Sequence, residues 1–161
     1  MTKTRLLIIV HGLLLAPMAF AQSCNDAIPA STPDSRFIVN GNEVTDTVTG
    51  LIWQRCSLGQ TGSDCSGDSV KTYTWKEALE AASPPWRLPN INELRSIVEE
   101  KCYDPAINLT VFPNTPASDY WSASPKANIS GRAWSVHFGY GYSYYYDKSN
   151  SVQVRLVRNG Q

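Results

Sequence analysis

Four cysteines behind an export leader limit what this chain can fold into more than any other feature. Lys3 and Arg5 precede an apolar run from Leu6 to Leu15, broken by His11 and Gly12. Ala19-Phe20-Ala21 then offers small residues at the two positions a signal peptidase reads. A charged start, a short apolar stretch and an A-x-A site predict a secretory signal peptide over residues 1–21. The run falls well short of the ~20 apolar residues that cross a bilayer, and Ala21-Gln22-Ser23 ahead of Cys24 lacks the pattern of a lipobox. The expected product is an exported protein (periplasmic, cell-surface or secreted) without a membrane span.

Cys24, Cys56, Cys65 and Cys102 all survive cleavage. An even count in an exported protein implies two disulfides, with three pairings open. Zinc is the competing use, but there is no C-x-x-C pair and His137 is the one imidazole left after cleavage, so a tetrahedral site lacks its usual ligands. The favoured pairing joins Cys56 to Cys65 as a local loop and Cys24 to Cys102 as a long-range clamp. Loop entropy gives these about 2.7 and about 4.5 kcal/mol respectively.

With 161 residues the prior is one domain, here residues 22–161. Hydrophobic residues make up 42% and charged ones 17%, which excludes a disordered polar chain. Loss of Lys3 and Arg5 leaves 12 basic against 14 acidic side chains, a formal charge of −2. No basic excess remains to follow a phosphate backbone, so nucleic acid is not an expected partner.

The mature chain reads as strands, two helices, then more strands. Residues 25–35 carry turn signals and suggest an extended arm. Phe37-Ile38-Val39 is a short strand with a hairpin turn at Asn40-Gly41. Val44, Val48 and Leu51-Ile52-Trp53 continue the β pattern, and residues 57–69 form a polar loop. Thr74 with Glu77 is a capping box opening a helix to about Ala82, stopped by Pro84-Pro85. Asn90 with Glu93 opens another, whose stripe of Ile91, Leu94, Ile97 and Val98 predicts a helix to about Glu100. After a Pro- and Asn-rich loop, Tyr120-Trp121-Ser122 is a strand. Trp134, Val136 and Phe138 alternate with Ser135 and His137, and Val152, Val154 and Leu156 alternate in a final strand. This order predicts an α+β domain.

Residues 139–151 carry the most information. Five of the eight tyrosines, Tyr140, Tyr142, Tyr144, Tyr145 and Tyr146, fall among Gly, Ser, Asn and Asp147. Tyrosines at consecutive positions cannot all point inward. The composition matches a paratope, where Tyr gives large contact area at low entropy cost and Ser, Gly and Asn adapt. The competing reading is an aromatic hairpin packed on itself. On the recognition reading the contact residues are those five tyrosines with Ser135, His137, Asp147, Asn128 and Arg132.

Five motifs occur in order along the mature chain: Gly50 to Ser57 (GLIWQRCS), Trp86-Arg87-Leu88-Pro89-Asn90 with Glu93-Leu94, Tyr120 to Ser124, Ala133-Trp134 with Phe138, and Val154 to Arg158. Together they resemble the Lcl C-terminal domain family, named for a bacterial collagen-like adhesin and placed in the C-type-lectin-like group with the formylglycine-generating enzymes. The resemblance implies that fold, with two helices, small twisted antiparallel sheets and two disulfides. The collagen-like stalk is missing, so stalk-driven trimerisation is not implied. The C-terminal segment also resembles the variable region of retroelement-diversified lectin-like proteins, whose altered Asn codons yield Tyr, Ser, Asp, Gly, His, Ile, Val and Arg. Residues 128–132, Ser135, His137, Gly139-Tyr140, residues 142–147 and residues 149–152 fit that set, whereas Gln153 does not.

Catalytic chemistry is not expected. Nucleophilic catalysis needs a base beside the nucleophile, and His137 sits on an outward strand position among Ser and Tyr. Glu99-Glu100 read as a solvated helix end. No phosphate-binding, dinucleotide or Ca²⁺-loop motif is present, and no cofactor is expected. Three functions follow in order: recognition of a cell-surface protein or glycan through residues ~126–152; binding of sulfated glycosaminoglycans, implied by the adhesin resemblance and dependent on Lys126, Arg132 and Lys148; and an enzyme of the formylglycine-generating type.

Overall fold

The computed structural model describes residues 21–160. The expected leader, all but its last residue, lies outside the described residues. The chain opens with β1 (Ser23–Cys24). Residues 25–35 are not an extended arm: they run through turns into a 3-10 helix at Asp34–Arg36. What draws them in is the carboxylate of Glu99, which accepts from the Ser31 N–H (3.0 Å), the Thr32 N–H (2.8 Å) and the Thr32 hydroxyl (2.7 Å). Glu99 is therefore buried, not a solvated helix end.

Strands β2 (Phe37–Asn40) and β3 (Glu43–Asp46) form the expected hairpin. Asn40 pairs with Glu43, so the loop is Gly41-Asn42, one place later than the Asn40-Gly41 dipeptide suggests. β4 (Leu51–Gln54) pairs antiparallel with β3. Residues 57–69 are a loop, closed by the Cys56–Cys65 disulfide. After β5 (Thr72–Tyr73), both helices begin where their capping boxes sit: α1 (Trp75–Glu80) on Thr74 and Glu77, α2 (Ile91–Arg95) on Asn90 and Glu93.

α2 ends five residues short of the expected Glu100. The stripe of Ile97 and Val98 is buried by turns instead of a helix: Val98 forms an antiparallel bridge with Ile107, and the Glu99 N–H donates to the Ala106 carbonyl at 3.0 Å. Tertiary hydrogen bonds outcompete the one turn of helix the pattern favours. The Trp86–Asn90 motif now has a structural explanation. Arg87 bridges Val157 through two backbone bonds and grips Glu93 with two guanidinium bonds of 2.7 and 2.8 Å, while Asn90 caps the helix.

β6 (Cys102–Tyr103) pairs with β1, and the Cys24–Cys102 disulfide joins the two strands. Both disulfides thus follow the favoured pairing. The loop after β6 is not a surface loop throughout, since Ile107, Val111 and Phe112 are core residues. Then come β7 (Asp119–Pro125), β8 (Arg132–His137) and β9 (Tyr142–Asp147), consecutive antiparallel neighbours. The expected final strand is divided between two sheets. β10 (Val152–Gln153) lies between β5 and β7, and β11 (Val157–Asn159) pairs with β4. Residues 152–157 are buried on both sides, so the alternation there does not mark a solvent face.

The result is an α+β fold with two helices, three small sheets and two disulfides. One core gathers Phe37, Val44, Trp53, Leu94, Ile97, Phe112, Tyr120 and Phe138; a second gathers Ala78, Leu88, Trp121, Val154 and Leu156. Arg155 is wholly buried between strands, donating to the carbonyls of Gln54 (2.9 Å) and Arg55 and to the Thr115 hydroxyl (2.7 Å). Burial pulls its guanidinium down to about 10. No helix among the described residues is long and apolar enough to cross a membrane.

Candidate functional site

The tyrosine-rich segment is β9 and the turn leading into it. β9 is the edge of the five-stranded sheet β5-β10-β7-β8-β9. Its register with β8 pairs His137 with Tyr142, Ser135 with Tyr144 and Ala133 with Tyr146; the alternate pairs are Val136 with Ser143, Trp134 with Tyr145 and Arg132 with Asp147. Directly opposed residues share a face of a sheet. The first three pairs therefore make one surface and the second three the other.

The β8–β9 connection, residues 138–141, is set by its ends. Phe138 is buried in the core, and the His137 carbonyl accepts from the Gly141 N–H at 2.8 Å. Gly141 adopts φ of 77°, and a Cβ there would lie 2.6 Å from Val98 Cγ1, so only glycine fits without a shift. This places Tyr140 at the tip of the turn. Its ring lies parallel to His137 (centroids 5.8 Å) and to Tyr142 (6.5 Å), and His137 is parallel to Tyr142 at 5.1 Å. Tyr103 extends the array from β6, its ring 6.4 Å from Tyr140. Tyr140, Tyr103, Tyr142 and Tyr144 are 63%, 49%, 48% and 47% exposed, so these rings are displayed and not spent on the core.

The other predicted residues divide by role. Ser135 is buried, its hydroxyl near Asp119 and the Tyr144 carbonyl. Tyr146 packs edge-on against Trp121 and donates to Asp119 at 3.0 Å. Burial, then that bond, pushes its phenol up to about 12. Both residues lie on the same face as the displayed rings and tie it to Asp119 of β7. By register Tyr145, Arg132 and Asp147 belong to the alternate face: Arg132 pairs with Asp147 at 2.9 Å, and its guanidinium lies 5.5 Å from the Tyr145 ring. The Tyr145 ring stacks on that of Tyr144 (centroids 5.1 Å), so the two faces meet at the sheet edge. Asn128 is exposed in the β7–β8 loop.

The three basic residues of the polyanion reading do not converge on one spot. Lys126 lies 4.7 Å from the Trp134 ring and 5.3 Å from that of Tyr145. Lys148 instead sits 4.2 Å from the Trp75 ring and donates to the Ser130 carbonyl at 2.8 Å. Tyr103 is the residue missed by sequence reasoning. Its sequence clue, adjacency to Cys102, acquires meaning only when β6 is placed beside the turn.

A disulfide-bonded α+β domain that displays an aromatic face on an edge hairpin is the class these features define. The model of the Lcl C-terminal domain matches residues 42–158, and the chain belongs to that family. Membership points to an adhesin-like extracellular domain, and the two disulfides accord with an oxidising compartment. No curated protein matches the chain.

Proposed function

We propose that this domain is an exported, C-type-lectin-like recognition module that holds a cell-surface ligand, protein or glycan, against the face formed by Tyr103, Tyr140, His137, Tyr142 and Tyr144. The observation that carries the reading is the stacked array of Tyr103, Tyr140, His137 and Tyr142, with exposed Tyr144 two places further along β9, on a disulfide-anchored scaffold. Large aromatic side chains with few torsions bind with little entropic loss, and clustered rings are typical of hot spots. The reading is of a binding protein and not an enzyme. Its support is that all four cysteines are engaged in disulfides, which leaves the formylglycine-generating type without its thiols. A segment open to diversification fits the same surface at Tyr140, Tyr142 and Tyr144, whose rings are exposed, whereas Ser135 and Val152 of that segment are buried.

The sulfated-glycan reading draws on Lys126 and Arg132 beside Tyr145, whose ring adjoins the aromatic face through its stack on Tyr144. Asp147 neutralises Arg132 there. Binding of the oxidised protein to intact cells, with Tyr142→Ala and Lys126→Ala variants compared across salt, separates the two. Recognition by the aromatic face predicts loss with Tyr142→Ala, about 2 kcal/mol or more, and weak salt dependence. Loss confined to Lys126→Ala, with steep weakening in salt, would replace this reading with polyanion binding.

A further inference from the structure

We propose a second binding site, for a neutral saccharide, in the cavity between the outer face of the four-stranded sheet and the Cys56–Cys65 loop. It lies on a different sheet from the aromatic hairpin and does not rest on that reading. The cavity measures about 400 Å³, within the range of small-ligand sites.

Its construction follows from register. Glu43 and Gln54 are directly opposed in β3 and β4, and share the outer face because the intervening Val44 and Trp53 point into the core. Trp86 forms one wall. It is held in place because Arg87, the next residue, is bridged to Val157 in β11. Arg158 steadies the corner, donating to Glu43 at 2.7 Å with its guanidinium 5.5 Å from the Trp86 ring. The facing wall is the loop from Ser57 to Gly62. The disulfide closes that loop, and Gln60 fastens it by accepting from the Ser57 N–H (3.0 Å) and donating to the Asn114 carbonyl (2.9 Å). The walls of the site are held before binding, which favours affinity.

The chemistry of the lining selects the ligand. Glu43 and Arg158 neutralise one another, so neither an anion nor a cation is preferred. Among the described residues, the side-chain amides of Asn42 and Gln54 have no protein hydrogen-bond partner. Each amide offers a donor and an acceptor in one plane, the pattern that vicinal sugar hydroxyls match. An indole wall beside those amides suits the C–H face of a pyranose ring. A purely apolar ligand would leave the half-buried Gln54 amide dry and unpaired, which is unfavourable.

The test is an NMR titration of the oxidised protein with the methyl glycosides of glucose, galactose and mannose and with N-acetylglucosamine. The expected result is a saturable shift at Gln54, the Leu58–Gly62 amides and the Trp86 indole, with millimolar affinity for at least one sugar. Gln54→Ala should weaken that affinity about tenfold or more without changing the melting temperature, because its side chain bonds to nothing among the described residues. Trp86→Ala should weaken it as well, while Val48→Ser, on a distant turn, should bind as the parent does. No saturable shift with any of the four up to about 50 mM overturns the proposal. So does a shift that survives Gln54→Ala, or tighter binding of a sulfated sugar at the same amides.

Discussion

The Tyr146 hydroxyl reaches over strand β8 to donate to the Asp119 carboxylate in β7 at 3.0 Å. One end of the tyrosine-rich strand is thereby tied into the sheet, and the other end is free to present its rings. Tyr146→Phe should lower stability by about 1 kcal/mol, less than a fully buried charged hydrogen bond is worth because the site is partly solvated. The raised phenol also carries a pH signature. Its contribution is complete below the ordinary tyrosine value of 10.0 and is lost as pH rises through about 12. Ultraviolet titration of the two proteins checks it: the phenylalanine variant should lack the last tyrosine to ionise and should lose the extra alkaline destabilisation.

Gly141→Ala should disturb the display and not the core. The methyl group meets Val98 and the backbone is held at φ of 77°, so a cost of about 1–3 kcal/mol is expected. NMR shift changes should centre on Tyr140, Tyr142 and Val98. A variant with parental stability and unchanged shifts would mean that the turn has another conformation of equal energy.

Acid should release the Ser31-Thr32 turn from Glu99. Burial alone would raise the Glu99 carboxyl, but hydrogen bonds from Thr32, Ser31 and Lys101 outweigh it and hold the group below its ordinary value of 4.5. The stabilisation is complete above 4.5 and is lost as pH falls below it, through the lowered folded value. Hydrogen exchange at the Ser31 and Thr32 amides is the readout. Glu99→Gln should cost about 1–3 kcal/mol and flatten the acid dependence; protection that does not change with pH, once the intrinsic exchange rate is allowed for, would show that Glu99 does not hold this segment.

The two disulfides should differ in weight. Replacing Cys24 and Cys102 by alanine removes a cross-link spanning 78 residues, whereas the Cys56–Cys65 link spans 9. Loop entropy assigns about 4.5 kcal/mol to the first and about 2.7 kcal/mol to the second. Denaturant unfolding of the two double variants measures the order, and equal losses would contradict it.

What could be read from the sequence was local. Thr74 with Glu77 and Asn90 with Glu93 announce helix starts because a capping box is complete within four residues. The end of α2 was not legible, because Ile97 and Val98 fit a helical stripe and a buried turn equally well until Ala106 and Ile107 arrive to bond them. Val152, Val154 and Leu156 read as one half-buried strand, yet Arg155 between them is buried and finds carbonyls from β4 and the residue after it. Composition located the tyrosine segment. Its division into faces needed the β8–β9 register, and Tyr103 needed the clamp between β1 and β6.

The position of β9 at the sheet edge has an evolutionary consequence. Among the described residues only β8 pairs with it, so a new side chain at residue 142 or 144 has to satisfy one neighbouring strand and water. Inner strands answer to two strands and a core at once, and their sequences are correspondingly confined. Heritable change therefore meets least resistance at the rings that face outward. On the proposed function, lineages of this chain could revise what they hold without renegotiating how they fold.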